Sequence, residues 1–270
     1  MSASAAASVR ALVLAPPGSS TSAQVLQAVR AQTRPVDELV TLVAAAHTTR
    51  AAAFDRGLRE ARDAPVSWLW LLDGRAIPAA DALERLLEPI VFPEGPLPSP
   101  ILVASKVVDP TGRLDADHLP WPRLTNKDVT VDACERRLVS VRAVRHGSVL
   151  IARRALEAYG LPHPGYEDDG EDLEWPARLL KDQSGFLAPR SVAVAPARCE
   201  TMLEARARRH RDMRNRASML RGTAWAGEEK LWFGFLLGQD AVRHVARERD
   251  LRAAGEVTKA LSAGLALRRG

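Results

Sequence analysis

The sequence is poor in cysteine and in long apolar runs, and both shortages narrow the class of protein. Its 270 residues include two cysteines, Cys134 and Cys199, which lie far apart and match no metal-binding spacing. We therefore expect free thiols in a reducing compartment rather than a disulfide framework. No window approaches the run of about 18 apolar residues that a membrane span needs. The sequence thus predicts a cytoplasmic protein, at most held peripherally at the inner face of a membrane.

The chain also lacks internal repeats and a clear linker. Hydrophobic residues make up 46% and charged residues 26% of the sequence, values typical of a globular protein. One large α/β domain with a smaller helical appendage fits this length. The predicted division places the α/β domain in residues 1–200 and a helical extension packed on it in residues 201–270.

Short apolar runs alternate with segments of helical spacing in the first 90 residues. Strands are predicted at 9–15, 38–46 and 66–72, and a helix follows each of them, at 22–32, 49–61 and 78–89. This alternation favours right-handed crossovers and a parallel sheet. The rest of the chain is predicted to hold strands at 101–108, 141–152 and 186–195, a long loop at 114–137, and helices at 153–159, up to 181 and beyond 199.

Positive charge is concentrated in one segment. Between Thr201 and Gly222, seven arginines stand against two acids, Glu204 and Asp212. Such a cluster attracts phosphate groups, although a solvated helix face would look the same. Because no aromatic residues are interleaved with the arginines and no nucleic-acid-binding module is recognised, we do not expect a nucleic-acid partner.

Three features lie at the ends of predicted strands, where ligands bind in open parallel sheets. Asp73 closes the apolar strand at 68–72, and the turn at 15–20 follows the first strand. An acidic run at 167–174 follows the strand and helix near residue 150. Acidic runs are commonly solvated loops, so this run alone would be a weak indication of a site.

Five short motifs occur in a particular order. They are Ala-Gln-Thr-Arg-Pro at 31–35, Trp-Leu-Trp-Leu-Leu-Asp at 68–73 with Pro78 beyond it, Gly-Ser-Val-Leu-Ile at 147–151, Gly-Glu-Asp-Leu-Glu at 170–174 and Arg-Asn-Arg at 214–216. In this order the sequence resembles family 2 glycosyltransferases, and most closely the actinobacterial galactofuranosyl and rhamnosyl transferases. The resemblance implies an α/β fold of the GT-A type, with a mostly parallel sheet flanked by helices and a helical C-terminal region.

The resemblance also implies a reaction, the transfer of a sugar from a nucleotide-diphosphate donor to a hydroxyl of a carbohydrate or lipid-linked acceptor. A carboxylate takes the proton of that hydroxyl, and Glu171 or Asp172 matches this base. Asp73 matches the first aspartate of an Asp-x-Asp motif, which holds a divalent cation, Mg or Mn, against the diphosphate. The binding candidates are Pro16, Arg50, Asp73 and Arg75 for the donor, and Trp121, Glu174 and Trp175 for the acceptor.

The donor and metal motifs depart from the family pattern. Arg75 stands at the third position of the aspartate motif and Gly74 at the middle one, so a divalent cation is a doubtful cofactor. The strand expected to end in a base-reading aspartate ends Ala-Ala-Ala-His at 44–47. Either Arg75 replaces the metal as a cation beside the diphosphate, or the site no longer turns over and Arg75 pairs with Asp73 or a neighbouring acid. The predicted function is glycosyl transfer; the alternative is a catalytically inactive binding or scaffolding protein of the same fold.

Aromatic residues are scarce, at 5% of the chain. Trp68 and Trp70 alternate with leucines, so core packing is expected there in preference to sugar stacking. The segment 225–237 is an apolar patch in a helical region. It could pack on the sheet, form a contact in a homo-oligomer or lie on a membrane, and packing is the default expectation.

Overall fold

The structure of the protein is a computed structural model. It describes residues 7–15, 19–43, 49–91, 98–123, 127–163, 166, 170–197, 201–248 and 251–267. The elements and contacts given below lie within these ranges.

A nine-stranded sheet forms the centre of the protein. Its strands are β1 (Val9–Leu14), β2 (Glu38–Leu42), β3 (Trp68–Leu72), β4 (Ile77–Pro78), β5 (Leu102–Val108), β6 (Trp121–Pro122), β7 (Val139–Ala143), β8 (Ser148–Ala152) and β9 (Gly185–Val194). They are arranged in the order β2-β1-β3-β8-β5-β9-β7-β6, and β4 pairs with β9 outside this path.

Most strands of this sheet point in one direction. Strand β1 lies parallel to both β2 and β3, and β5 lies parallel to β9. Strand β8 is inserted antiparallel between β3 and β5, which leaves those two strands with the same direction. The carboxyl ends of β1, β3, β5 and β9 therefore meet at one edge of the sheet, and the predicted mostly parallel α/β architecture is confirmed.

Nine helices are described, six before β9 in the chain and three after it. They are α1 (Ser20–Arg30), α2 (Arg50–Arg62), α3 (Ala82–Val91), α4 (Lys127–Glu135), α5 (Arg154–Tyr159), α6 (Glu171–Leu179), α7 (Met202–Met219), α8 (Gly227–Glu248) and α9 (Leu251–Ala266). Side-chain caps define several starts: Ser19 and Thr49 accept backbone N–H groups at the starts of α1 and α2, and Thr201 and Glu204 form a capping box on α7. No described helix has both the length and the hydropathy that crossing a membrane requires.

Two sequence predictions were wrong in detail. The segment 114–137 is not one long loop, because it holds a 3₁₀ turn (Ala116–His118), strand β6 and helix α4. The predicted single strand at 141–152 is two strands, β7 and β8, which pair with different neighbours. The break falls at residues 144–147, Val-Arg-His-Gly, whose polar residues and glycine are typical of a turn.

The core is centred on β3 and β8, whose residues are all buried. Trp70 is fully buried and Trp68 is 7% exposed, so both belong to the core as predicted. The indole N–H of Trp70 donates to Ser148 Oγ at 3.0 Å, and Ser148 Oγ lies 2.8 Å from Ser105 Oγ. Ser105 in turn lies 2.7 Å from Ser191, so a chain of satisfied polar groups crosses four strands inside an apolar core.

The last three helices contact the α/β part at specific points. Arg142 of β7 is buried and pairs with Glu229 of α8, and Gly170 lies so close to Asn215 of α7 that a Cβ there would be 2.6 Å from its amide nitrogen. Helices α7 and α9 cross closely at Gly264, because a Cβ there would be 2.1 Å from the carbonyl oxygen of Arg214. The division at residue 200 stays a prediction.

Gly74 follows β3 in a backbone conformation that other residues rarely adopt. Its φ is +73°, and a Cβ at this position would lie 1.8 Å from the carbonyl oxygen of Leu14. The Oγ of Ser22 donates to the Gly74 carbonyl at 3.1 Å, which holds the turn against α1. The middle position of the aspartate motif therefore has no room for an acid.

We expect Gly74→Ala to lower the free energy of unfolding by about 2–5 kcal/mol, because it adds a steric clash to the cost of a left-handed backbone. Gly112→Ala is the matched control, since Gly112 has a φ of +83° but a Cβ there would meet no atom within 4 Å. Gly112→Ala should lower the free energy of unfolding only by the cost of the left-handed backbone, about 1–2 kcal/mol. Urea unfolding of both variants checks this, and equal losses would contradict the packing argument.

Candidate active site

Asp73 lies at the carboxyl end of β3 and is 1% exposed. Its Oδ1 accepts the backbone N–H groups of Arg75 at 2.8 Å and Ala76 at 3.1 Å. The carboxylate therefore closes the turn that Gly74 permits. Its second oxygen, Oδ2, faces three cationic side chains.

These three cations come from different parts of the chain. Arg75 Nε lies 3.0 Å from Asp73 Oδ2, His118 Nε2 lies 3.4 Å away and Arg50 Nη1 lies 3.6 Å away. Burial alone would raise the pKa of Asp73, but Arg75, His118 and Arg50 together hold it well below its usual value. Asp73 is therefore an anion throughout the physiological pH range.

His118 is a site residue that the sequence did not reveal. It ends the 3₁₀ turn, and its Nδ1 lies 2.6 Å from Asp115 Oδ2. Burial alone would lower the pKa of His118, but the hydrogen bonds to Asp115 and Asp73 raise it to about 9. Gly147 makes room for the ring, since a Cβ there would lie 2.7 Å from His118 Cδ2. This contact joins a predicted loop to a predicted strand, so no local pattern pointed to it.

Arg50 joins the two acidic stretches that the sequence singled out. It is the first residue of α2, and its guanidinium lies 3.6 Å from Asp73, 3.6 Å from Glu171 and 3.8 Å from Asp172. All four side chains are largely buried, with 11% of the Arg50 side chain exposed. The structure thus brings Asp73 and the start of α6 together around one guanidinium.

Glu171 and Asp172 open α6, where the positive end of the helix dipole favours acids. Glu171 is fully buried against Arg50, whereas Asp172 lines an open cleft. Asp172 Oδ1 is also 3.1 Å from Arg145 Nη1, and Arg145 Nη2 lies 3.2 Å from Asp212 of α7. Of the two predicted bases, Asp172 is the one that a bound molecule could reach.

The cleft has a volume of about 220 Å³ and lies between the 3₁₀ turn, α6 and α7. Its lining is strongly charged, with cationic side chains outnumbering acids. The cations are Arg75, His118, Arg145, Arg208 and Arg216, and the acids are Asp117, Asp172 and Asp212. Arg145 and His118 were not among the predicted site residues, because long-range packing alone brings them here. The two arginines of α7 were not predicted at the site either, although they belong to the arginine cluster at 201–222.

The described residues fit a divalent cation poorly. A GT-A metal site needs several oxygen ligands around an open position. Here Asp73 is the only acid of its motif, and Arg75, His118 and Arg50 already contact its carboxylate. Arg50 also occupies the position that a cation between Asp73 and Glu171 would need. Among the described residues, no group of three or more potential metal ligands is present.

The predicted acceptor residues fall into two groups. Trp121 is half-buried, lines the cleft and packs against Trp225 with ring centroids 5.2 Å apart. Trp175 is fully buried and donates its indole N–H to the Gly160 carbonyl, so a sugar has no ring face to stack on and this prediction was wrong. Glu174 is 4% exposed and its carboxylate lies 3.2 Å from Arg178 Nε, and its acceptor contact stays a prediction.

Several predicted positions lie outside the described residues. They are Pro16 of the first turn, residues 44–47 that replace the base-reading aspartate, and residues 167–169 of the acidic run.

Comparison with solved structures identifies the fold of the chain, whereas comparison with protein families and curated proteins finds no match. The structure is similar to GalNAc-T7 crystallised with UDP, GalNAc and Mn²⁺ (TM-score 0.54, 14% identity, 86% of this chain and 54% of that chain). It is also similar to a mycobacterial protein (TM-score 0.54, 14% identity, 80% and 76%) and to S. aureus TarS (TM-score 0.55, 9% identity, 88% and 43%).

At such identities the likeness establishes the fold and not the activity. The chain spans 54% of the GalNAc-T7 chain and 43% of the TarS chain. The GT-A glycosyltransferase fold that the sequence predicted is confirmed, and the narrower likeness to family 2 and to actinobacterial transferases stays a prediction.

The raised pKa of His118 makes stability depend on pH. A histidine whose folded pKa is about 9 stabilises the fold fully below its ordinary value of 6.5 and loses that contribution as the pH rises to 9. We expect the wild-type protein to lose up to ~3 kcal/mol over that range. His118→Gln should remove most of this loss, and urea unfolding at pH 6 and pH 9 measures it. His210→Gln, on α7, is the control; an unchanged pH dependence in His118→Gln would contradict the assignment.

Proposed function

We propose that the cleft binds a nucleotide-diphosphate sugar and transfers its sugar to a hydroxyl of a carbohydrate or lipid-linked acceptor without a divalent cation. One observation carries the proposal: Asp73 and Asp172, about a hundred residues apart, meet around Arg50 at the edge where the parallel strands end. This edge is where open α/β sheets bind ligands. The GT-A fold supports a nucleotide sugar as the donor, and GalNAc-T7 is the structural neighbour crystallised with UDP.

The donor diphosphate would face Arg75, His118 and Arg145 in the cleft. Guanidinium groups pair with phosphate oxygens in bidentate geometry, and a protonated histidine adds positive charge beside them. Asp73 fixes Arg75 at 3.0 Å, so this arginine is held at the end of β3 before any ligand binds. Arg50 is the buried counterion that keeps Asp73, Glu171 and Asp172 in place.

Asp172 would act as the base. The acceptor oxygen attacks the anomeric carbon and forms the new C–O bond, while the bond from that carbon to the phosphate oxygen breaks. The acceptor proton passes to an Asp172 carboxylate oxygen, and the nucleoside diphosphate leaves with the bonding electron pair. The cations around the diphosphate stabilise the negative charge that develops on it.

A second function is a binding protein that holds a nucleotide sugar without turnover. The ion pairs of Asp172 with Arg145 and Arg50 favour it, because a carboxylate with two guanidinium partners is a weak base. Binding and turnover must therefore be measured separately.

For binding, calorimetry of UDP and GDP in the presence of EDTA is the direct test. We expect measurable binding without metal, weakened about tenfold or more in Arg75→Ala because a charge-assisted phosphate contact is lost. Arg190→Ala, at an exposed arginine of β9 that pairs with Glu88 and does not line the cleft, is the matched control and should bind normally. Binding that requires Mn²⁺ would contradict the metal-free site.

For turnover, release of nucleoside diphosphate from a panel of nucleotide sugars and acceptors in EDTA is the test. We expect Asp172→Asn to lower kcat by about a hundredfold or more and to leave donor binding within about threefold. Asp182→Asn, in the turn after α6, is the control and should keep full activity. Binding without turnover for every donor and acceptor would select the second function.

A further inference from the structure

Helix α8 has two apolar faces, and packing explains one of them. The inner face carries Phe233, Leu237 and Ala241, which are buried against α7, α9 and the loop after α7. This confirms that part of the 225–237 patch packs on the protein. The outer face is left in solvent.

The outer face is a continuous apolar ridge. Its large side chains are Leu231 (78% exposed), Trp232 (59%), Phe235 (53%) and Val242 (69%). The rings of Trp232 and Phe235 stack on each other with centroids 5.4 Å apart. Between residues 231 and 246, all of them described, the other exposed positions are Gly238, Arg243 and Ala246, and the side chain of Asp240 is 45% exposed at 4.0 Å from Arg243. This one pair carries the exposed charge of four helical turns. Exposed apolar patches of this kind mark an interaction surface.

A cationic groove borders this ridge. It lies between α7 and α8, has a volume of about 320 Å³ and is lined by arginines of both helices, with Asp212 and Asp240 as its acids. The arginines are Arg208, Arg209, Arg216, Arg243 and Arg247. Arg243 and Arg247 are exposed and stand at the junction of ridge and groove. An apolar ridge with a basic flank is the pattern of a helix that lies in the interface of an anionic bilayer.

We propose that α8 docks the protein on an anionic lipid surface, with Trp232 and Phe235 inserted at the headgroup level and the groove arginines on lipid phosphates. A second copy, which carries the same net charge of +5, would match the apolar ridge but would bring no complementary charge to the cationic groove. A nucleic acid would occupy the groove and leave the apolar ridge in water.

The docking surface and the candidate active site are adjacent. Arg208, Asp212 and Arg216 of α7 line both the groove and the cleft. Docking through α8 therefore brings the cleft close to the lipid headgroups. The inference goes beyond the proposed reaction, because lipid binding needs neither donor nor turnover.

Co-sedimentation of the full chain with vesicles tests the proposal. We expect binding to phosphatidylcholine vesicles that contain phosphatidylglycerol, and weaker binding to phosphatidylcholine alone. Trp232→Ser with Phe235→Ser should weaken binding about tenfold or more, and Arg243→Gln with Arg247→Gln should remove most of the preference for phosphatidylglycerol. The matched control is Val131→Ser with Val139→Ser, two exposed valines on α4 and β7.

Light scattering and tryptophan emission complete the experiment. A blue shift on adding anionic vesicles, absent in Trp232→Phe, supports insertion of that ring. Absence of vesicle binding, or vesicle binding that the Trp232/Phe235 variant leaves unchanged, overturns the proposal. A dimer in solution that the same variant dissociates also overturns it, because the ridge would then be a contact between copies.

Discussion

The guanidinium of Arg50 lies within 3.8 Å of three carboxylates, those of Asp73, Glu171 and Asp172, and the candidate site depends on this arrangement. Three buried acids at one point would repel one another and would bear the full cost of leaving water. One buried arginine on α2 offsets that cost and joins β3 to α6. Because the sheet edge, the helix start and the cleft all meet there, loss of this cation would disturb every part of the site together.

The same arrangement sets the charge of the cleft. Arg75 and a protonated His118 complete the neutralisation of Asp73, and Arg145 does so for Asp172. Two arginines and a histidine that is protonated at neutral pH thus surround the carboxylate that the motif would use to hold a divalent cation. The close approach of Gly74 to Leu14 belongs to this arrangement, since it excludes an acid from the middle of the motif. The two departures within the aspartate motif, Gly74 and Arg75, are therefore mutually consistent, and each has a physical reason in the fold.

The sequence predicted the parts of this structure that local pattern controls. Apolar runs and helical spacing located β1, β3, β5, β9 and most helices, and both Asp73 and the acidic run at 167–174 were predicted at the ligand-binding edge of the sheet. Prediction from sequence failed where contacts between distant parts of the chain determine which side chains reach the site. The indole of Trp175 looked suitable for a sugar because it lies beside acids in sequence, yet the ring is buried in the core. His118 and Arg145 were missed because they lie in a predicted loop and a predicted strand, respectively. Residue spacing does not indicate that either segment contacts the site.

A crystal structure of the protein grown with UDP and Mn²⁺, with diffraction data collected at the manganese absorption edge, would decide whether the site works without metal. We expect a diphosphate in contact with Arg75 and His118, no anomalous peak beside Asp73, and Arg50 still between Asp73 and Glu171. A manganese ion bridging Asp73 and the diphosphate, with Arg50 displaced from the carboxylates, would contradict the metal-free site.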